Sequence, residues 1–221
     1  QDYGPITKLA PTLELEKDSD TYILTFDDDI IPHRQLVKTL CQKIQKYPNT
    51  CLGFSGVCIG SFPFYFQFVI DNKEDQAVDW IQGVHVVAYK RSFFTTVKEL
   101  VSFGDDTPLK DILVFNDDHR ISSYLASKNI PRLSIGYDIK KFLFKYGDAQ
   151  EDALSSRHTE LVKEHFKIIN YFKEKGMYYH SYTVTRSLIF FIVFGIIISL
   201  SIFMSTRKLH NNLRIILILI A

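Results

Sequence analysis

Three consecutive carboxylates, Asp27, Asp28 and Asp29, follow the β-branched and aromatic run TYILTF at residues 21–26 and stand just before Pro32. Adjacent carboxylates repel one another, so gathering them at the end of a buried strand is costly unless a cation or hydrogen bonds compensate. Hard divalent ions take oxygen ligands, and Mg²⁺ or Mn²⁺ commonly bridges one or two carboxylates to a substrate diphosphate. The other reading of the same residues is an acidic turn that caps the next helix. A second pair, Asp117 and Asp118, opens a segment that carries Ile121 and Leu125. Carboxylates at a helix start are favoured by the helix dipole, which makes them caps. Equally, one of them can serve as a general base that takes a proton from an attacking hydroxyl.

The elements that must position these acids alternate along the chain. Residues 21–26 read as a buried strand ending at the acids. After Pro32, Leu36, Val37, Leu40, Cys41 and Ile44 recur at helical spacing. Residues 51–55 and 62–70 read as strands, and 79–90 begins as one. Residues 118–128 form a short amphipathic helix, 132–135 a strand, and 159–175 a longer helix with Leu161, Val162, His165, Ile169 and Phe172 along one side. The pattern is α/β.

Taken in order, DYGPITKL, TFDDDIIP, VDWIQGVHVVAYKRSFF and FNDDHRISSYLASKNIP resemble the successive blocks of GT-A fold glycosyltransferases of the family 2-like kind, over residues 2–135. The resemblance implies a GT-A-like (Rossmann-like) mixed sheet flanked by helices. It also implies transfer of a sugar from a nucleotide-diphosphate donor, a UDP- or GDP-sugar, to a hydroxyl acceptor, with a divalent metal (Mn²⁺ or Mg²⁺) as cofactor. Asp27 then contacts the donor ribose or the metal, Asp29 ligates the metal, and Asp28 is the middle residue of the donor motif. Trp80, Gln82 and Gly83 line the acceptor side, and Asp118, beside Asp117, is the base of an inverting transfer. Lys8 faces the donor nucleotide or diphosphate, and His158 corresponds to the late histidine that some such enzymes use as a third metal ligand. Each has a plainer reading: a packing aromatic for Trp80, a solvated side chain for Lys8, and a surface or capping residue for His158. The family's first strand and its base-recognition acid would precede Asp2, upstream of the sequence. Two other classes remain beside this one. The strand-DxD and later LVFNDD also occur in haloacid-dehalogenase-type phosphatases, where Asp27 would be a phosphorylated nucleophile. A membrane-tethered, non-catalytic binding module predicts no metal-dependent nucleotide-sugar turnover.

A chain of 221 residues accommodates one sizeable domain, residues 1–180, and an appendage. Lys+Arg 26 against Asp+Glu 25 gives a net charge of +1, which argues against nucleic acid as a partner. Cys41, Cys51 and Cys58 are odd in number and lack a CxxC pair, so buried core thiols are expected rather than a disulfide framework or zinc site. No charged residue occurs in 187–206, and LIFFIVFGIIISLSIFM at 188–204 is about long enough to cross a bilayer core as a helix. Residues 187–206 are therefore expected to form a transmembrane helix, and 213–221 the start of a second. Such an anchor suits a lipid-linked or membrane-presented acceptor. Lys173, Lys175 and Arg186 before the span balance Arg207, Lys208 and Arg214 after it, so charge sets no orientation. The absence of an N-x-S/T sequon and the unpaired thiols favour a catalytic domain on the cytosolic side. Gln1 at the start and Ala221 within an apolar run suggest a fragment of a longer chain.

Overall fold

The computed structural model describes residues 3–27, 30–32, 34–59, 66–70, 74–83, 85–136, 143–145, 158–178 and 194–196. A 3₁₀ turn, Gly4–Lys8, leads into helix α1, Ala10–Leu15, and each has a proline in its first turn, where a helical N–H has no partner in the helix. There follow β1 (Tyr22–Phe26), β2 (Ile30–Pro32), α2 (Leu36–Lys46), β3 (Cys51–Gly53), β4 (Ser55–Ile59), β5 (Phe66–Ile70), β6 (Gln76–Ala77), β7 (Trp80–Ile81) and β8 (Val86–Lys90). Then come α3 (Val97–Val101), α4 (Lys110–Leu113), α5 (Asp117–Ser127), β9 (Arg132–Ser134), β10 (Leu143–Lys145) and α6 (His158–Glu174).

The main sheet is five-stranded and mixed, in the order β1-β8-β3-β9-β6, with β3 and β9 parallel and the other neighbours antiparallel. A second sheet, β5-β4-β7, is antiparallel, and β10 pairs with β2. The α/β expectation with a mixed sheet flanked by helices is met. Its physical basis is visible along β8, whose side chains alternate between the two faces of the sheet. Val86 and Ala88 pack with Leu36 and Leu40 of α2. Val87 and Tyr89 pack with Leu9 and Leu13 near the N-terminus, Leu100 of α3 and Ile121, Tyr124 and Leu125 of α5. Each valine, leucine or isoleucine among them contributes about 1.5–3 kcal/mol on burial. A third cluster, including Val57, Ile59, Leu109 and Leu113, seats Ile168, Ile169 and Phe172 of α6.

Several expectations are corrected. Residues 51–55 are not one strand, because Phe54 separates β3 in the main sheet from β4 in the second. Residues 79–90 do begin as a strand, β7, and after a break at Gln82 and Gly83 the chain continues as β8 in a different sheet. On α2, Leu36 and Leu40 are buried, but Val37 and Cys41 are exposed, so only Cys51 and Cys58 are core thiols. Helix α5 is not amphipathic, since every residue from His119 to Ala126 is buried. Among the described residues no helix is long and apolar enough to cross a membrane. The expected spans at 187–206 and 213–221 lie outside the described residues except for a helical turn at 194–196.

Candidate active site

The acids predicted from separate stretches of sequence meet around one lysine. Lys8 ends the 3₁₀ turn, and its Nζ lies 3.5 Å from Asp27 Oδ1, just past β1, and 3.2 Å from Asp117 Oδ2 in the first turn of α5. All three side chains are partly buried. Gly83 closes the group, and its backbone N–H donates to the Asp118 carboxylate. A Cβ at Gly83 would stand 2.6 Å from Asp118 Oδ1 and 2.8 Å from Lys8 Nζ, closer than real Cβ atoms approach other atoms. Glycine is required there by space, because only a backbone without a side chain can come so near.

The electrostatics follow from this convergence. Burial disfavours the Lys8 ammonium, but Asp117, Asp118 and Asp27 outweigh it and hold the lysine above its usual range, so it stays charged. Asp118 is half-buried, and its carboxyl is pushed up to about 7. Desolvation is the main cause and the like charge of Asp117 adds to it; Lys8 and the Gly83 N–H work the other way, and Asp27 adds further upward pressure. A carboxyl of this kind exchanges a proton near neutral pH, which suits a general base. The remaining surplus of carboxylate oxygen over ammonium fits a hard divalent cation better than a soft one. Among the described residues no group of three His, Cys, Asp or Glu side chains is placed to hold a metal ion. Asp28 and Asp29 lie outside the described residues, and His158 begins α6 with its side chain outside them.

Of the proposed acceptor-side residues, Gly83 is at the centre. Gln82 is half-buried and its Oε1 accepts from Ser55 Oγ at 3.4 Å. Trp80 is buried at 4 % exposure and packs in the third core cluster.

Sequence reasoning did not single out the residues that hold α5 in place. Ser122, one turn after Asp118, accepts the N–H of Ile81 at 3.0 Å, so Asp118 and Ser122 grip the β7 segment at alternate residues, Gly83 and Ile81. The neighbouring stripe, Asn116, His119 and Ser123, faces Glu164, His165 and Tyr178: Asn116 Nδ2 donates to Glu164 Oε2 at 3.1 Å, His119 Nε2 lies 2.8 Å from His165 Nδ1, and Ser123 Oγ lies 2.8 Å from the Tyr178 hydroxyl. Arg120, also buried, donates to the Val101 carbonyl and lies 3.7 Å from Asp105. The signal was the density of polar residues in NDDHRISS, which on one helix cannot all face solvent once its apolar residues are buried. No protein-family model matches the chain, and no curated protein matches it.

Proposed function

We propose that the chain is a glycosyltransferase of the GT-A kind that moves a sugar from a nucleotide-diphosphate donor, a UDP- or GDP-sugar, to a hydroxyl acceptor with inversion. The observation that carries this reading is the meeting of Lys8, Asp27, Gly83, Asp117 and Asp118, drawn from four separated stretches of sequence, around a single ammonium. Asp118, its carboxyl pushed up to about 7 by burial and by the like charge of Asp117, is basic enough to take the acceptor proton. As the O–H proton passes to Asp118, the acceptor oxygen bonds to the anomeric carbon and the bond to the diphosphate oxygen breaks with its electron pair. Lys8, kept charged by its carboxylate neighbours, would compensate the diphosphate. Asp28 contacts the donor. A Mn²⁺ or Mg²⁺ ion held by Asp27 and Asp29, with His158 as a further ligand, would offset the charge that builds on the leaving group. Gln82 and Gly83 form the acceptor edge, backed by Trp80.

The acceptor class follows from the apolar run at 188–204, which would tether the domain at a bilayer where lipid-linked or membrane-presented hydroxyls are concentrated, with the domain on the cytosolic face. The test is a screen of UDP- and GDP-hexose hydrolysis by the full chain with and without MnCl₂. Release of nucleotide diphosphate only with the metal is expected. A non-catalytic binding module would release none, and a haloacid-dehalogenase-type phosphatase would instead hydrolyse simple phosphate monoesters.

A further inference from the structure

Helix α5 carries the base, yet its own first turn is not closed by a side-chain cap, because Asn116 turns its amide away to the Ile112 carbonyl at 2.7 Å and to Glu164. What fixes the start of the helix is therefore outside it. One external anchor is a buried polar chain on the face next to Asp118. It runs from Ser123 Oγ to the Tyr178 hydroxyl at 2.8 Å, from that hydroxyl to His119 Nδ1 at 3.2 Å, and from His119 Nε2 to His165 Nδ1 at 2.8 Å. His119 is wholly buried, and burial, aided by the neighbouring His165, holds it well below the usual histidine range. A neutral imidazole donates through one nitrogen and accepts at the other, so the chain has one sense of donation at a time and both of its ring bonds can be satisfied together. Trp80 packs on both rings, with centroids 3.8 Å from His119 and 5.1 Å from His165. The indole belongs to β7, whose next residues grip Asp118 and Ser122.

We infer that His119 and His165 are a positioning couple for the transfer reaction: their ring-to-ring hydrogen bond, braced by Trp80, ties α6 to the first turn of α5 and holds the Asp118 carboxylate against Gly83. The inference rests on the transferase reading above. His119 and His165 need not touch substrate, and they act through Asp118. A displacement of the base by even an ångström lowers turnover by as much as about a hundredfold without weakening donor binding.

Two variants of similar size and polarity test this in the full chain. His165→Asn places an amide nitrogen where imidazole Nδ1 stands and keeps the bond to His119, whereas His165→Gln places it further out and breaks that bond. Donor turnover is followed as MnCl₂-dependent hydrolysis of the UDP- or GDP-hexose that the wild type uses, and donor affinity by calorimetry with the matching nucleotide diphosphate. Because Trp80 is the chain's single tryptophan, its fluorescence reports the stacked rings without ambiguity. The expected result is a fall in kcat of roughly tenfold to a hundredfold for His165→Gln, with nucleotide affinity within about twofold. Its tryptophan emission changes, while His165→Asn stays near wild type in all three readouts. Equal kcat in wild type and His165→Gln overturns the inference, as does equal loss in both variants or a parallel loss of nucleotide affinity. An inactive wild type removes the transferase reading and this inference with it; an active wild type with an unaffected Gln variant removes the inference alone.

Discussion

Replacing Asp118 with Asn separates proton acceptance from shape at the centre of the site. The amide still fills the space beside Gly83 but accepts no proton, so turnover should fall by roughly 10²–10⁴ with donor affinity little changed. If Asp118 is the base, the same carboxyl should set the pH profile of the wild type. With its value near 7, turnover should drop about tenfold per pH unit below that point and level above it, and the Asn variant should lose this limb. The linked effect on stability has the opposite sense. The folded chain keeps the Asp118 proton up to about 7, while the unfolded chain releases it near 3.8, so the ionised group opposes folding. That penalty is absent below about pH 4, grows from there to about pH 7 and is constant beyond. Asp118→Asn should therefore melt higher relative to wild type at pH 8 than at pH 4, by about 3 °C for each kcal/mol of relieved penalty. Calorimetric melting at the two pH values checks the sign, and a difference that shrinks toward pH 8 contradicts the burial argument. Gly83→Ala addresses the same carboxylate from the other side. A methyl 2.6 Å from Asp118 Oδ1 must push it or Lys8 away, and turnover should drop about a hundredfold while melting shows a folded protein.

Elements in this molecule are held in place by polar pins as much as by apolar faces, and Asp75 is a second instance. It binds Lys43 Nζ at 2.5 Å, Lys46 Nζ at 3.3 Å and the Tyr47 hydroxyl at 2.9 Å, all from the end of α2 or just beyond, and accepts the Gly136 N–H at 3.0 Å after β9. Burial works against its charge, but the hydrogen bonds from Lys43, Gly136 and Tyr47 hold it down to about 2. Its folded value lies below the ordinary 3.8, so the stability it contributes is present above about pH 4 and is lost as pH falls toward 2. Asp75→Asn should lower stability by about 1–3 kcal/mol at pH 7, and denaturant titration should show the two proteins converging near pH 2. These pins mark where the sequence was hardest to read. Apolar spacing located α2 and α6 because each buries an apolar stripe, although on α2 the stripe is narrower than expected, leaving Val37 and Cys41 outside. It misread α5, since period counting treats His119, Arg120, Ser122 and Ser123 as a solvent face, and their partners lie 19 to 59 residues away along the chain. The strand breaks at Phe54 and around Gln82 were illegible for a related reason: which sheet a short apolar run joins depends on partners that local alternation does not contain.

At the scale of the whole chain, the candidate site was legible as a set of acids but not as a geometry. The proximity of Lys8 to Asp27 and Asp117 needs the N-terminal turn, the end of β1 and the start of α5 to be packed together, and the core that joins Ile6, Leu9, Ile23 and Ile121 does this. The proposed metal ligation can be tested directly. Asp29→Ala should abolish Mn²⁺-dependent binding of a nucleotide diphosphate measured by calorimetry while leaving the melting temperature close to wild type, and unchanged binding would remove Asp29 from the ligand set. The proposed membrane anchorage rests on the 17 residues from 188 to 204, in which only Gly195, Ser199 and Ser201 interrupt the apolar side chains. At 1.5 Å per residue such a helix is about as long as a bilayer core is thick, and every backbone polar group in it would be satisfied internally. The full chain should therefore stay in the membrane pellet after alkaline carbonate extraction. Introducing Ile197→Arg and Ile198→Lys places two charges near the middle of the segment, at a cost of about 2.5–3.5 kcal/mol each on insertion scales. That variant should move to the supernatant with its Mn²⁺-dependent nucleotide binding intact, because the proposed ligands are remote in sequence from the change. Release of the unaltered chain by carbonate would instead make 188–204 a core or interfacial helix, and the membrane-presented acceptor would go with it.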